Sequence, residues 1–354
     1  MSLAQELKKF SQKEGASLVG IAPAQPPPEA AQLAGLLQEN LAQCLSYLQL
    51  DIAVRQDVRR WYPEAKSVLV CGFEYGGQDD DGRPATGREE IRPAGTCRTT
   101  NTAGTGRIAR YAAHEDYHRV LKNRMQSILS WLRQNAPGAD GRIFVDSSPV
   151  LERVYGAAAG LGWIGRNQLL ISESVGSFFL IAGLALNLKL ESDRPVPDRC
   201  GSCRLCLGAC PTGALGGDHR FAAERCIAYL TIEHRGPIPL ELRTGMGRRV
   251  AGCDICQEAC PWNASIGRNT ALQALLPQEL VLEDIAKMDE AGFRERFGRT
   301  PVARLKRQGL LRNALLAMGN SGDARQRPVL ERFQDDPDPV LREQALWSLA
   351  RLPS

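Results

Sequence analysis

Apolar side chains near the amino terminus recur every three or four positions across residues 2–14, which predicts an amphipathic helix. The run from Ala16 to Ile21 then predicts a short strand, and the break Pro26-Pro27-Pro28 precedes a second helical pattern extending through Leu48. Three further apolar runs, Ser67–Phe73, Arg142–Val145 and Phe178–Leu186, read as strands, with helical periodicity at about 115–135 and 149–160 between them. This alternation predicts an α/β sheet domain over the first 190 or so residues. The interval between Gly76 and Gly106 is rich in Gly, Thr and charge, lacks any period, and reads as a mobile loop. From about Phe293 the pattern is helical again, at 310–320, in Pro-Val-Leu-Glu-Arg-Phe, and at 337–352. Two short amphipathic pairs resemble one and a half HEAT-like repeats, and a simple helical cap fits the periodicity equally well.

Composition changes this picture little. A chain of 354 residues with 43% hydrophobic and 24% charged residues is ordinary for two or three globular domains, and a net charge of +4 neither demands nor excludes a polyanionic partner. The longest apolar stretch, Phe178 to Leu190, is interrupted by Gly183 and Asn187 and is too short to span a bilayer. With no basic-then-apolar leader, the expected location is the cytoplasm, away from any membrane, with reduced cysteines.

The cysteines carry the chemistry. Cys200-Gly-Ser-Cys203-Arg-Leu-Cys206-Leu-Gly-Ala-Cys210-Pro211 reproduces the C-x2-C-x2-C-x3-C-P run of two-cluster ferredoxins. An incomplete second copy follows as Cys253, Cys256, Cys260 and Pro261, with Val250 at the place of its first cysteine; Cys226 can supply the missing thiolate. Eight thiolates suit two [4Fe–4S] cubanes, and the fourth cysteine of each run crosses to the other cluster. Cys200, Cys203, Cys206 and Cys260 are therefore expected on one cluster, and Cys210, Cys226, Cys253 and Cys256 on the other. Gly201 and Gly208 are expected to ease the ligand loop, and Cys44, Cys71 and Cys97 to be structural or incidental. A disulfide framework and paired zinc sites fit this spacing poorly. Pro195-Val-Pro197 marks a boundary, giving an α/β domain over 1–194, a ferredoxin-like domain over 195–290 and a helical domain over 291–354.

Clusters that move electrons singly leave an electron carrier and an enzyme both open, but a carrier needs no α/β domain of this size. No nicotinamide or P-loop fingerprint is present: Gly156, Gly160 and Gly162 read as packing glycines. A flavin, a corrinoid or a substrate radical remains as electron acceptor. Asp146 ends a predicted strand and is the candidate acid, placed where open α/β sheets hold ligands; an N-cap role for the helix beginning near Pro149 competes. Asp116-Tyr117-His118 opens like a cobalt-ligating D-x-H-x-x-G motif, but Leu121 stands at the glycine. The segment reads instead as helix, with His114 and His118 an i,i+4 structural pair.

Taken together, Asp146-x-x-Pro-Val-Leu-Glu152-Arg153, Ala159-Gly-Leu-Gly-Trp163-Ile-Gly-Arg-Asn167, the cluster runs, Arg225-Cys-Ile-Ala-Tyr-Leu-Thr-Ile-Glu233 and Leu311-Arg-Asn-Ala-Leu-Leu-Ala-Met-Gly-Asn320 closely resemble the epoxyqueuosine reductases. That resemblance implies an enzyme that uses cobalamin and two [4Fe–4S] clusters to convert epoxyqueuosine to queuosine at the tRNA wobble position. It implies cofactor contacts at Arg55, Ala109, Asp146, Leu170, Ile171, Ser172, Ile181, Ala228 and Asp254, and a proton-donating Asp146 whose environment should raise its pKa. Ala109 and Ala228 depart from the family, where some relatives carry cysteine and serine respectively. The implied partners are tRNA and an electron donor of reductase or flavodoxin type, with the protein itself a monomer. A corrinoid reductive dehalogenase and a two-cluster electron carrier are the alternatives. Between residues 294 and 312, Arg294, Arg296, Arg299, Arg304, Lys306, Arg307 and Arg312 face one acid, Glu295, and the segment is expected to hold tRNA phosphates.

Overall fold

The computed structural model describes residues 2–28, 30–31, 52–76, 104–217, 220–264 and 270–353. The expected helical pattern from residue 32 through Leu48, residues 77–103 of the expected mobile loop between Gly76 and Gly106, and Cys44 and Cys97 lie outside the described residues, while the end of that loop, Thr105 and Gly106, is strand. The strands are β1 (Leu18–Pro23), β2 (Ser67–Glu74), β3 (Thr105–Ile108), β4 (Gly141–Val145), β5 (Trp163–Ile164), β6 (Leu170–Ile171), β7 (Phe179–Leu186), β8 (Arg249–Ala251) and β9 (Glu279–Val281). The helices that position the site are α1 (Leu3–Lys13), α2 (Tyr117–Asn135), α3 (Glu152–Ala158), α4 (Ile227–Ile232), α5 (Lys306–Ser321) and α6 (Pro339–Leu349). Among the described residues no helix is long and apolar enough to cross a membrane.

The main sheet runs β1-β2-β7-β4, and every neighbouring pair is antiparallel. The rule that places ligands at the carboxyl ends of parallel strands therefore does not account for Asp146 at the end of β4. Both faces of the sheet are covered. Leu69, Cys71 and Phe73 of β2 pack with Leu7 of α1 and Leu121 and Met125 of α2, while Val68 and Val70 pack with Val58 and with Tyr155 of α3. All eight residues of β2 are buried as a result, which is why that strand reads as an unbroken apolar run. A capping box between Ser2 and Gln5 starts α1, and the Asp116 carboxylate starts α2 by accepting the His118 backbone N–H.

A second, three-stranded sheet has the order β8-β3-β9, with β3 parallel to β8 and antiparallel to β9. Its strands are three or four residues long and meet across more than a hundred positions of sequence, which hides them from a periodicity reading. Val250, at the place of the absent cysteine, lies in β8 and is fully buried. One core joins this sheet to the carboxyl-terminal helices, through Ile108, Val250, Ala251, Leu280, Phe297, Leu311, Leu315, Leu341 and Ala345. The bonds of Asn313 across the same boundary, to the Thr231 carbonyl at 3.0 Å and the Val250 carbonyl at 2.8 Å, tie α5 to α4 and β8.

Since Leu315 is buried at the centre of that shared core, Leu315→Ala should cost about 2–5 kcal/mol of stability. Denaturation followed by cluster absorbance and by helical circular dichroism should shift together. A helical transition that moves alone would show that the two regions do not share a core.

Candidate functional site

Cys200, Cys203, Cys206 and Cys260 line one cavity, together with Arg166, Asn167, Ile171, Pro261 and Trp262. The loop between the first two thiols turns at Gly201, whose φ of +52° is a left-handed conformation that glycine adopts without strain. Gly208 lies in the short helix Leu205–Ala209 at negative φ, so the expected turn role falls to Gly201 alone. Cys210, Cys226, Cys253 and Cys256 form the other group, close enough that Cys253, Cys226 and Cys210 each disfavour ionisation of the Cys256 thiol. Burial is the largest influence on Cys226, Cys253, Cys256 and Cys260, pushing Cys253 up to about 12 and Cys260 up to about 11. A thiolate in such surroundings needs a metal charge beside it. Cys71 is buried under the main sheet, where desolvation pushes its thiol to about 12 against a hydrogen bond with Ser11.

Gly162 fits its packing role: a Cβ there would lie 1.9 Å from the Ile171 carbonyl oxygen across the β5–β6 hairpin.

Asp146 follows β4 with φ at +45°, in the left-handed region that a non-glycine residue occupies only under constraint. Its Oδ2 accepts the Tyr117 hydroxyl at 2.8 Å and lies 2.9 Å from His118 Nε2. His118 Nδ1 is 2.8 Å from Asp116 Oδ1, so each ring nitrogen faces a carboxylate. The Asp116 hydrogen bond, then that of Asp146, raises His118 to about 9 against the cost of desolvation, and the ring is an imidazolium at neutral pH. Asp146 responds in the opposite sense. Burial, its largest influence, pushes the carboxyl up, but hydrogen bonds from His118 and Tyr117 and the charges of His118 and Arg304 together hold it below the ordinary value. The expected raised pKa of Asp146 is therefore corrected: in this arrangement the proton resides on His118.

Two further expectations are revised. The helix after Asp146 is α3, capped at Leu151 with no side-chain bond, so Asp146 is not its N-cap. His114 and His118 are not a helical pair, because α2 begins at Tyr117; His114 Nδ1 lies 2.9 Å from the Arg110 carbonyl while His118 turns to Asp146. Tyr117 and His118 are thus the site residues that sequence reasoning missed, and the signal was present in Asp116-Tyr117-His118. Glu152 is the other titrating neighbour. Burial, then the Asp146 charge, pushes it up to about 8, against the charges of Arg153 and His118.

The expected cofactor contacts fall into groups. Ala109 and Asp254 meet at one small cavity with Arg107, Arg249 and Cys253, and Asp254 Oδ2 accepts the Arg110 N–H at 2.7 Å. Leu170 and Ile181 share the core on the α3 face of the sheet. Ile171 reaches the cavity of the four thiols, and buried Ser172 sits 3.1 Å from the Ser174 hydroxyl. Ala228 lies in α4, beside Cys226. Arg55 keeps a buried Nε with no hydrogen-bond partner among the described residues.

Arg312 does not belong to a phosphate-binding surface. It is 1% exposed, and its guanidinium donates to the carbonyls of Leu230, His234 and Gly236. Arg304 forms a two-pronged bond with Glu233 at 2.8 and 3.0 Å and Arg307 donates to the Met288 carbonyl, while Arg294, Arg299 and Lys306 are exposed.

Comparison with known proteins matches these features. The 4Fe-4S double cluster binding domain family matches residues 199–263, and the family described as epoxyqueuosine reductase QueG matches 55–147. An epoxyqueuosine reductase of Xanthomonas campestris pv. campestris is 33% identical over 98% of this chain and 96% of its own length. A crystal structure of epoxyqueuosine reductase with a tRNA-Tyr epoxyqueuosine-modified stem loop superposes with a TM-score of 0.86 at 29% identity, covering 99% of this chain and 90% of that one. A Bacillus subtilis epoxyqueuosine reductase, with its catalytic aspartate loop swung out of the active site, superposes at 0.84 with 28% identity, covering 99% and 91%.

The grouping of the thiols gives a direct test. Anaerobically reconstituted protein should hold about eight irons per chain, and Cys226→Ala should leave about four. Cys71→Ala should leave the iron content unchanged, and loss of iron in that variant would contradict the grouping.

Proposed function

The chain belongs to the epoxyqueuosine reductase family, and from that premise we propose that Asp146, His118 and Tyr117 handle the protons of its reaction. The enzyme reduces epoxyqueuosine to queuosine at the wobble position of a tRNA anticodon. Loss of the epoxide oxygen as water consumes two electrons and two protons. When bound, the two clusters pass electrons singly and a cobalamin supplies the reducing centre at the substrate.

The observation that carries the reading is the hydrogen-bonded chain Asp116–His118–Asp146, with the Tyr117 hydroxyl on the same Asp146 oxygen. Asp146, ionised at rest, takes a proton from the imidazolium and then delivers it to the leaving oxygen, with the second proton of the water drawn from solvent, and Asp116 keeps the ring oriented for that transfer. Tyr117 stacks on the ring at 4.2 Å between centroids and fixes its plane. A catalytic aspartate on a loop is also the description given for the Bacillus subtilis relative. A plain electron carrier would need no such proton path.

The residues fit a corrin as far as their chemistry goes. Leu170 and Ile181 offer apolar contact, the buried Arg55 Nε is a donor without a partner among the described residues, and Ile171, Ser172, Ala109, Ala228 and Asp254 complete the set that would hold it. Exposed Arg294, Arg299 and Lys306, with Arg304 near Asp146, would meet the phosphates of the anticodon loop. The same reading takes 1–194 as the cobalamin-binding domain, 195–290 as ferredoxin-like and 291–354 as HEAT-like. It has the protein act as a cytoplasmic monomer fed by a reductase- or flavodoxin-like donor.

Asp146→Asn should lower turnover of an epoxyqueuosine stem loop by on the order of 10²–10⁴ while cluster content is kept. The pH dependence follows from His118. A raised imidazole pKa means that the charged form is complete below pH 6.5 and is lost as pH rises through about 9. Turnover should fall through that window, and the alkaline limb should disappear from the low residual activity of His118→Asn. Wild-type turnover in Asp146→Asn, or an alkaline limb unchanged in His118→Asn, would remove these residues from the proton path.

A further inference from the structure

The tip of the β5–β6 hairpin points into the cavity of Cys200, Cys203, Cys206 and Cys260. Gly165 N–H donates to the Leu169 carbonyl at 2.8 Å, and Gln168 takes a positive φ of +65°, so the turn is tight and its side chains are directed by the backbone. Asn167 is 5% exposed and lines the cavity. Its Oδ1 accepts the Leu169 N–H at 3.2 Å, which fixes the orientation of the amide. The Nδ2 amino group that remains is buried and has no partner among the described residues. Arg166, on the same cavity, bonds the Gly201 carbonyl through Nη2 at 2.9 Å, and its Nε is likewise buried without a partner. Buried donors are left unmatched at a cost, and here two of them belong to side chains lining a cavity that is also lined by four cysteine thiols. The other lining side chains, Ile171, Pro261 and Trp262, offer those donors no hydrogen-bond acceptor.

We propose that Asn167 Nδ2–H and Arg166 Nε–H donate hydrogen bonds to sulfur of the cluster held by Cys200, Cys203, Cys206 and Cys260, and thereby set its reduction potential above that of an unassisted cluster. The inference rests on the two-cluster reading above. Each reduction of a [4Fe–4S] cluster adds one electron, and so one negative charge, to the cluster as a whole; its sulfurs carry part of that charge, and an N–H dipole aimed at sulfur stabilises the reduced form more than the oxidised one. The effect is confined to one cluster, because the cavity holds only this set of thiols. The consequence is a potential difference between the two clusters, written into a hairpin that contributes no ligand.

The test uses the reconstituted full chain, titrated anaerobically and read by electron paramagnetic resonance. Asn167→Asp keeps the oxygen that holds the turn and removes the donor; Asn167→Leu removes the donor without adding charge. In both, the reduced-to-oxidised ratio of one cluster at fixed potential should fall tenfold or more, about 59 mV for a one-electron couple. The other cluster should titrate as in the wild type. Pulsed resonance of wild-type protein exchanged into deuterium oxide should show strongly coupled exchangeable deuterons at the affected cluster, reduced in both variants. Unchanged midpoints in the variants, or no such deuteron in the wild type, would overturn the proposal. The wild-type spectrum decides the matter even where a variant loses iron. Wild-type protein without two [4Fe–4S] signals would sink the cluster reading beneath the proposal, which is a separable result.

Discussion

Eight sulfurs must serve as ligands, five of them, Cys206, Cys226, Cys253, Cys256 and Cys260, in surroundings that oppose their ionisation, and the rest of the structure is arranged around that demand. Burial is the largest influence on Cys226, Cys253, Cys256 and Cys260, and each is pushed above the ordinary thiol value. Nearby cations offset only a part: Arg249 acts on Cys253 without bringing it into the physiological range. Iron charge is then what makes these thiolates stable, and metal binding becomes a condition for the loops of this region to close. The helices around them are only four to six residues long, too short to hold a fold by themselves. The framework comes from elsewhere: Arg312 and Asn313 of α5 satisfy the carbonyls around α4 and β8, and the three-stranded sheet buries Val250 beside Cys253.

At the other end of the electron path the same logic is applied to protons. A carboxyl meant to deliver a proton can be kept protonated by burial, or it can be ionised and coupled to a group that carries the proton for it. In the proposed reading, Asp146 takes the second course. Its positive φ and its bonds to Tyr117 and His118 hold it at the start of a chain whose reservoir is an imidazolium shared with Asp116. Glu152, pushed up to about 8 by burial and by the Asp146 charge, keeps a second negative charge from accumulating beside the first. The Arg304 charge also acts on Asp146, so the proposed phosphate-binding surface and the acid share a residue.

Legibility in the sequence followed the range of the interactions. The cluster ligands are spaced by what a loop can place around one cube, so local spacing displayed them. Strand β2 was visible because both its faces are covered, and α2 because its apolar stripe faces a single layer. Strands β3, β8 and β9 were not visible, since each is short and pairs with a partner far along the chain. His118 was misread because an i,i+4 pairing with His114 presumes helix at both positions, whereas the Asp116 cap starts the helix between them. Arg312 was misread for a related reason: a run of charge does not reveal which member is turned inward to unpaired carbonyls.

The central claim is that electrons stored on two clusters reach the substrate at the site that Asp146 serves. Fully reduced, cobalamin-loaded enzyme, freed of donor and mixed anaerobically with an epoxyqueuosine stem loop, tests it in one turnover. The claim predicts that both reduced-cluster resonance signals decay in step with queuosine formation, which mass spectrometry reads as loss of one oxygen. Queuosine forming while both cluster signals persist would contradict it.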